Sequence, residues 1–178
     1  MSPDRKLLAF VREVKPGDFD IFGVDLGDSG FSRPLTAPPR VLVSGPRTQR
    51  APTFSPVGRY LAYASAEGGP MQVYISQLAG GSGKWQVPLG FAHFSRWSAN
   101  GDRLYVLDEL DRIVEFPIDR TRVFEFGPPE APIPGTPALR GGWDISADPT
   151  QFLVPVGPAS TLNVSRLLVV ENWRPEPR

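Results

Sequence analysis

An all-β chain of repeated, roughly four-stranded units is what this sequence predicts, on three observations. Its apolar residues fall in short blocks between turn residues, the pattern of many brief strands. Proline (21) and glycine (18) punctuate those blocks, and no window holds a 3.6-residue hydrophobic period, so almost no helix is expected. A serine-centred turn recurs along the 178 residues: Ser2, Ser55, Ser98 and Ser146 stand 53, 43 and 48 residues apart. Units of about 40–50 residues, each with room for about four strands, are the repeat of a β-propeller blade. The expectation is one all-β domain over 1–178, a β-propeller of four-stranded antiparallel blades. About three and a half to four blades are present, with repeats near 1–50, 51–92, 93–141 and 142–178.

The recurring turn is clearest at Phe54-Ser55-Pro56-Val57-Gly58-Arg59-Tyr60-Leu61-Ala62-Tyr63. Pro56 fixes its own φ at the first inner position of a turn, and Ser55 can bond the backbone ahead of it. Gly58 supplies a positive φ. Tyr60 to Tyr63 then resume as an aromatic and apolar strand.

Taken in order, Ser2-Pro3-Asp4-Arg5-Lys6-Leu7-Leu8-Ala9-Phe10 is the first copy of that turn and strand. A polar turn at Lys15-Pro16-Gly17-Asp18 leads to a strand from Asp20 to Leu26, and residues 27–50 read as loop around a short Val41-Leu42-Val43 strand. The second unit offers strands at Thr53-Phe54, Arg59 to Ser65, Met71 to Leu78 and Trp85 to Leu89. Met71, Val73 and Ile75 alternate with Gln72, Tyr74 and Ser76, the period expected of a half-buried strand. In the third unit Asn100-Gly101 takes the turn position, followed by a strand to Leu107, a hairpin loop at Asp108-Glu109-Leu110-Asp111, and strands from Arg112 to Ile118 and Arg122 to Phe126. A proline-rich connector from Gly127 to Gly141 precedes the fourth unit, Trp143 to Val154, whose turn lacks glycine; the last strand is expected from Ser165 to Glu171.

Composition excludes several classes of function. Lys plus Arg equals Asp plus Glu at 19 each, so no global charge points to nucleic acid or an anionic membrane surface. Arginine outnumbers lysine 16 to 3 but is scattered along the chain. Without cysteine there are no disulfides and no thiolate metal sites. No apolar run approaches the ~20 residues of a membrane helix, and the N-terminus shows no secretory h-region.

The aromatic, Ser-Pro-Asp-Gly-like turn and Leu-Ala-Phe/Tyr strand, seen at Ser2 to Phe10 and Phe54 to Tyr63, resemble the TolB-like, WD-repeat-like propeller repeats of bacteria. Gly83-Lys84-Trp85-Gln86-Val87, Arg96-Trp97-Ser98 and Leu168-Val169-Val170-Glu171-Asn172-Trp173 are more particular. Together they resemble the C-terminal propeller blades of bacterial serine/threonine protein kinases. The chain departs from the repeat at Val57 and Asn100, which replace the turn Asp. It contains no Gly-rich nucleotide loop, catalytic-loop motif or Asp-Phe-Gly. The resemblance therefore implies a non-catalytic module, without cofactor, that binds a protein partner or ligand on the propeller face as the sensor or scaffold end of a larger signalling protein. It implies an extracytoplasmic position if that protein is a membrane-anchored kinase. Two alternatives stand beside it: the propeller gate of a serine peptidase of the prolyl-oligopeptidase or dipeptidyl-peptidase kind, and a TolB-like periplasmic scaffold. Because the first turn begins at Ser2 without a leading strand, the chain is expected to be a C-terminal piece of a longer protein, or to self-associate.

Candidate chemistry gives way at each position to a structural expectation. Gly27-Asp28-Ser29-Gly30 matches a protease nucleophile motif, but that chemistry needs His and Asp earlier, and the single His93 follows it. Gly80-Gly81-Ser82-Gly83-Lys84 lacks the first glycine of a phosphate loop and has Trp85 where Ser or Thr would hold magnesium. His93 has no cysteine to share a zinc site with. Asp18, Asp20, Asp25 and Asp28 match no calcium-loop spacing. Trp85, Trp97, Trp143 and Trp173 are expected in inter-blade packing rather than in a partner surface. Asn163-Val164-Ser165 fits a glycosylation sequon, which a bacterial origin would make irrelevant. No catalytic, cofactor or metal residue is expected.

Overall fold

The computed structural model describes residues 1–27, 37–78, 80–119, 125–130 and 143–146, and the backbone of 152–153. Within them the chain is all β, with no helix. The first sheet is built from β1 (Leu7–Lys15), β2 (Asp18–Asp25) and β3 (Arg40–Val43), in that order. The second contains β4 (Gln49–Phe54), β5 (Tyr60–Ser65), β6 (Gln72–Gln77) and β7 (Lys84–Gln86). The third contains β8 (Ser95–Trp97), β9 (Arg103–Leu107), β10 (Ile113–Asp119) and β11 (Glu125–Phe126). A two-stranded pair, β12 (Asp144–Ile145) with β13 (Phe152–Leu153), begins a fourth. Every pairing is antiparallel between successive strands, as hairpin-linked blades require.

The serine turn has the same hydrogen bonds in three copies. Ser2, Ser55 and Ser98 each donate their N–H to the carbonyl of Leu7, Tyr60 and Arg103, at 2.8, 2.9 and 3.0 Å. Each serine Oγ accepts the N–H of that same residue, at 2.9, 3.1 and 3.0 Å. The residue three positions after the serine closes the turn with a positive φ: 60° at Arg5, 69° at Gly58 and 72° at Gly101. Two copies use the glycine that the sequence advertises. The first forces an arginine into the same conformation.

The cores lie between sheets rather than within them. β5 alternates side to side: Leu61 and Tyr63 join Ile21, Val43 and Tyr74 between the first and second sheets, while Ala62 joins the cluster between the second and third. That middle cluster gathers Val73, Ile75, Val87, Trp97, Leu104, Val106 and Phe116. β9 repeats the alternation, sending Tyr105 and Leu107 to a third cluster with Ile113 and Trp143. Period two in the backbone thus becomes membership of alternate interfaces.

Differences from the sequence reading follow from this stacking. β6 is not half-buried, because Tyr74 is covered by the first sheet while Val73 and Ile75 face the third. β4 begins at Gln49, earlier than Thr53, and absorbs a bulge between Arg50 and Thr53 with Ala51 at φ 51°. β1 runs on to Lys15 through polar residues. The connector after Gly127 starts along β10, with Gly127 N–H on Pro117 C=O at 2.8 Å and Glu130 N–H on Glu115 C=O at 2.9 Å. The expected strand from Ser165 to Glu171 lies outside the described residues.

Candidate binding face

Hairpin alternation sorts the loops onto two ends of the blades. The serine turns and the β6–β7 link occupy one end. At the other end lie the β1–β2, β5–β6 and β9–β10 turns together with the connections between sheets. Cross-links confirm this sorting: Thr48 Oγ1 donates to Gly17 C=O at 3.0 Å, and Ala92 N–H donates to Met71 C=O at 2.9 Å.

On that second end a contiguous group forms around the third sheet. His93 Nε2 lies 3.4 Å from Asp111 Oδ1. Its ring packs against Phe91 at 5.6 Å and edge-on to Phe94 at 4.9 Å. His93 Nδ1 is buried and has no hydrogen-bond partner. Phe91, whose ring meets His93, and Leu110, the residue before Asp111, remain 36% and 60% exposed. Beneath them Trp143 is buried with Tyr105, Leu107 and Ile113, and Arg96 stands over its ring at 5.7 Å. Arg96 also reaches Asp144, Nε to Oδ1 at 3.4 Å, tying β8 to β12.

The turn that presents Leu110 and Asp111 is held by Asp108, which takes the serine's role in a hairpin one residue shorter. Asp108 Oδ1 accepts the N–H of Leu110 at 2.9 Å and of Arg112 at 2.8 Å, while Oδ2 receives Arg112 Nε at 2.8 Å. Burial pushes this carboxyl up, but the Arg112 and Leu110 hydrogen bonds and the Arg112 charge outweigh it and hold it below the usual carboxylate range. Asp111 sits at φ 55°, the counterpart of Arg5, Gly58 and Gly101.

Among the described residues no three His, Asp or Glu side chains group as a metal site. Asp25 faces Arg40 at 3.6 Å, and Asp18 and Asp20 lie on β2. Gly80 to Lys84 forms the β6–β7 turn, with Gly80 at φ 77° and Gln77 N–H on Gly83 C=O at 2.8 Å. Lys84 Nζ pairs with Glu67 and stands 4.8 Å over the Tyr74 ring. Trp97 donates Nε1–H to Thr53 C=O at 3.3 Å across the sheet interface, and Trp85 packs on the middle cluster. Asp28 to Gly30, Asn163 and Trp173 lie outside the described residues. Phe91 went unread in the sequence, and Leu110 and Asp111 were read only as parts of a hairpin loop. The one signal for Phe91 and Leu110 is a large apolar residue placed outside a strand.

No protein-family model matches the chain, and no curated protein matches it. Solved structures do. The crystal structure of TolB from Acinetobacter baumannii is 20% identical, with a TM-score of 0.51 over 71% of this chain and 30% of that one. A protein described as a TolB from Agrobacterium tumefaciens is 22% identical, with a TM-score of 0.50 over 74% of this chain and 48% of that one. These identities establish fold alone: the chain is a TolB-like β-propeller, present in part. It spans between 30% and 48% of the length of these structures. No helix among the described residues is long and apolar enough to cross a membrane.

Proposed function

We propose that the chain is a non-catalytic propeller module that binds a protein partner through the loop end carrying Phe91, His93, Leu110 and Asp111. It serves as the sensor or scaffold part of a larger bacterial signalling protein of the serine/threonine-kinase type. The observation that carries the binding reading is the exposure of Phe91, which meets the His93 ring, and of Leu110, which precedes Asp111, beside the His93–Asp111 contact at 3.4 Å. Apolar side chains set around a polar pair are the makings of a protein interface. The kinase association rests on the sequence resemblance at Gly83 to Val87, Arg96 to Ser98 and Leu168 to Trp173.

Site-directed photo-crosslinking in the host cell tests the reading. A crosslinker at position 91 or 110 is expected to trap one discrete partner, and the yield drops when Asp111 is changed to Ala. A crosslinker at Val57, 52% exposed on the opposite end, serves as the control. Equal trapping from position 57, or none from 91 and 110, overturns the proposal.

A further inference from the structure

Asn100 and Gly101 carry a reaction that the turn around them holds back. Of the three asparagines, Asn100, Asn163 and Asn172, only Asn100 is followed by glycine, and it is exposed in the third serine turn. A glycine nitrogen has no Cβ beside it, so a preceding asparagine meets least crowding when its Cγ bends toward that nitrogen. Val164 and Trp173, the residues after the other two asparagines, bring bulky side chains to the same approach.

Three hydrogen bonds hold the reacting groups in place. Gly101 N–H donates to Ser98 C=O at 2.9 Å. Asn100 Oδ1 accepts Asp102 N–H at 3.3 Å, and Asn100 Nδ2 donates to Asp102 Oδ2 at 2.8 Å. Ser98 Oγ lies 2.9 Å from Asn100 Oδ1 and 3.0 Å from Asp102 Oδ1, so its single proton can serve either. The side chain is thus held by residues 98 and 102, and the nitrogen by the Ser98 carbonyl.

The first serine turn shows what an acid meets at this position. Asp4 Oδ1 there accepts the Ser2 hydroxyl at 2.6 Å and Lys6 N–H at 3.0 Å, the counterparts of the Ser98 and Asp102 bonds to Asn100. The Ser2 and Lys6 hydrogen bonds, with the Lys6 charge behind them, hold Asp4 below the usual carboxylate range. In the third turn the place of Lys6 is taken by Asp102, whose carboxylate only accepts. A carboxylate at position 100 would set two acceptors where Nδ2 and Oδ2 now stand 2.8 Å apart, turning a donated bond into repulsion.

We propose that Asn100 is a deamidation site gated by opening of the third serine turn, and that its conversion to aspartate or isoaspartate loosens that turn permanently. When the turn opens, Gly101 N attacks Asn100 Cγ. A C–N bond forms, the Cγ–Nδ2 bond breaks, and the amide proton leaves with Nδ2 as ammonia. Water then opens the cyclic imide at either carbonyl, giving aspartate, or isoaspartate with the main chain running through Cγ. Amide and water have become acid and ammonia, with no other reagent. The product adds a negative charge to a chain whose acidic and basic residues are equal in number, and it accumulates with the time the turn spends open.

Peptide mapping by mass spectrometry on the full 178-residue chain, aged in mildly alkaline buffer with and without urea, tests this. In urea the peptide holding Asn100 should convert ahead of those holding Asn163 and Asn172. Without urea its conversion should slow by about tenfold or more, because opening a bonded turn of a folded sheet is a minority event. Ser98→Ala and Asp102→Ala remove holding bonds and should raise the rate in buffer several-fold, leaving the rate in urea nearly unchanged. Asn100→Asp, the product made directly, should speed hydrogen exchange of the Arg103 amide, bonded to Ser98 Oγ, several-fold. Adding Asp102→Asn restores a donor opposite the acid and should recover slow exchange. Equal conversion with and without urea, or none at Asn100 in urea, overturns the proposal. So does a rate in buffer that neither Ser98→Ala nor Asp102→Ala raises, or unchanged Arg103 exchange in Asn100→Asp. Ageing the unaltered chain needs no variant, so it decides the gating even if a substitution unfolds the sheet.

Discussion

Arg5→Gly is expected to stabilise the protein, and the reason can be worked from the three serine turns. Arg5 holds φ 60° where Gly58 and Gly101 hold 69° and 72°. A side-chain-bearing residue in this conformation costs roughly 1–2 kcal/mol, because Cβ crowds the following carbonyl. Glycine removes that cost but gives the unfolded chain more freedom, which offsets about 0.4–1 kcal/mol. The net gain is about 0.5–1 kcal/mol, or roughly 1–4 °C in Tm for a chain of this size. Arg5 is exposed, so its side chain contributes little packing to set against the gain. Gly58→Ala supplies the mirror experiment. A Cβ there would lie 3.6 Å from Pro3 Cδ, an ordinary contact, so any loss is conformational and close to the same size with opposite sign. Urea unfolding gives the global effect. Exchange of the Leu7 amide, bonded to Ser2 Oγ, gives the local one and should slow several-fold in Arg5→Gly. If Arg5→Gly destabilises the protein, or if Gly58→Ala proves neutral, backbone conformation does not govern this turn and the equivalence of its copies fails.

Three further outcomes follow from the interior and from the charged turns. Phe116→Ala empties the middle cluster of a fully buried ring and should cost about 3–5 kcal/mol by urea denaturation, more than any turn variant. Asp108→Asn should destabilise by about 1–3 kcal/mol near neutral pH. Because the folded carboxyl titrates below its unfolded value, its contribution is present above about pH 4 and disappears as pH falls through the folded value, so variant and wild type should converge in acid. Lys84→Met should cost less than about 1 kcal/mol, since the pair with Glu67 is partly exposed. Burial pushes the Lys84 ammonium down, but its bonds to Glu67 and Tyr63 hold it above its usual value. The benefit is therefore present below about pH 10 and is lost as pH rises through the folded value, which paired unfolding curves at neutral and alkaline pH will show.

The turns at Ser2, Ser55 and Ser98 were legible because each is local: the hydroxyl, with a proline at Ser2 and Ser55 and a glycine at Ser55 and Ser98, acts within six residues. Strands such as Tyr60–Ser65 were legible for the same reason, since apolar residues between turns have few alternatives. Arg5 was not legible as a left-handed residue, because its conformation is imposed by the β1 ladder and the Ser2 bonds rather than by its own preference. Gln49 to Ala51 hid the start of β4 behind polar residues, a proline and a bulge. Tyr74 read as solvent-facing because its cover comes from the first sheet, distant in sequence. The His93–Asp111 contact joins a connection between sheets to a hairpin turn. Only the register of β8 on β9 brings them together, with Ser95 opposite Val106. Asp108 could have been read: an acid beginning a turn whose last residue precedes a strand does what the serines do.

The position of the cores between sheets sets how such a chain changes over evolutionary time. Adding or losing one unit adds or removes one wall and one interface, leaving the interior of every other interface as it was. Turn tips such as Val57 drift almost freely, since they answer only to backbone conformation. Leu61 and Tyr63 answer to the preceding unit and Ala62 to the following one, so neighbouring letters in the same strand belong to different lineages of compensating change. Covariation in relatives should therefore run from β5 back to β2 and forward to β9, skipping the residue next door.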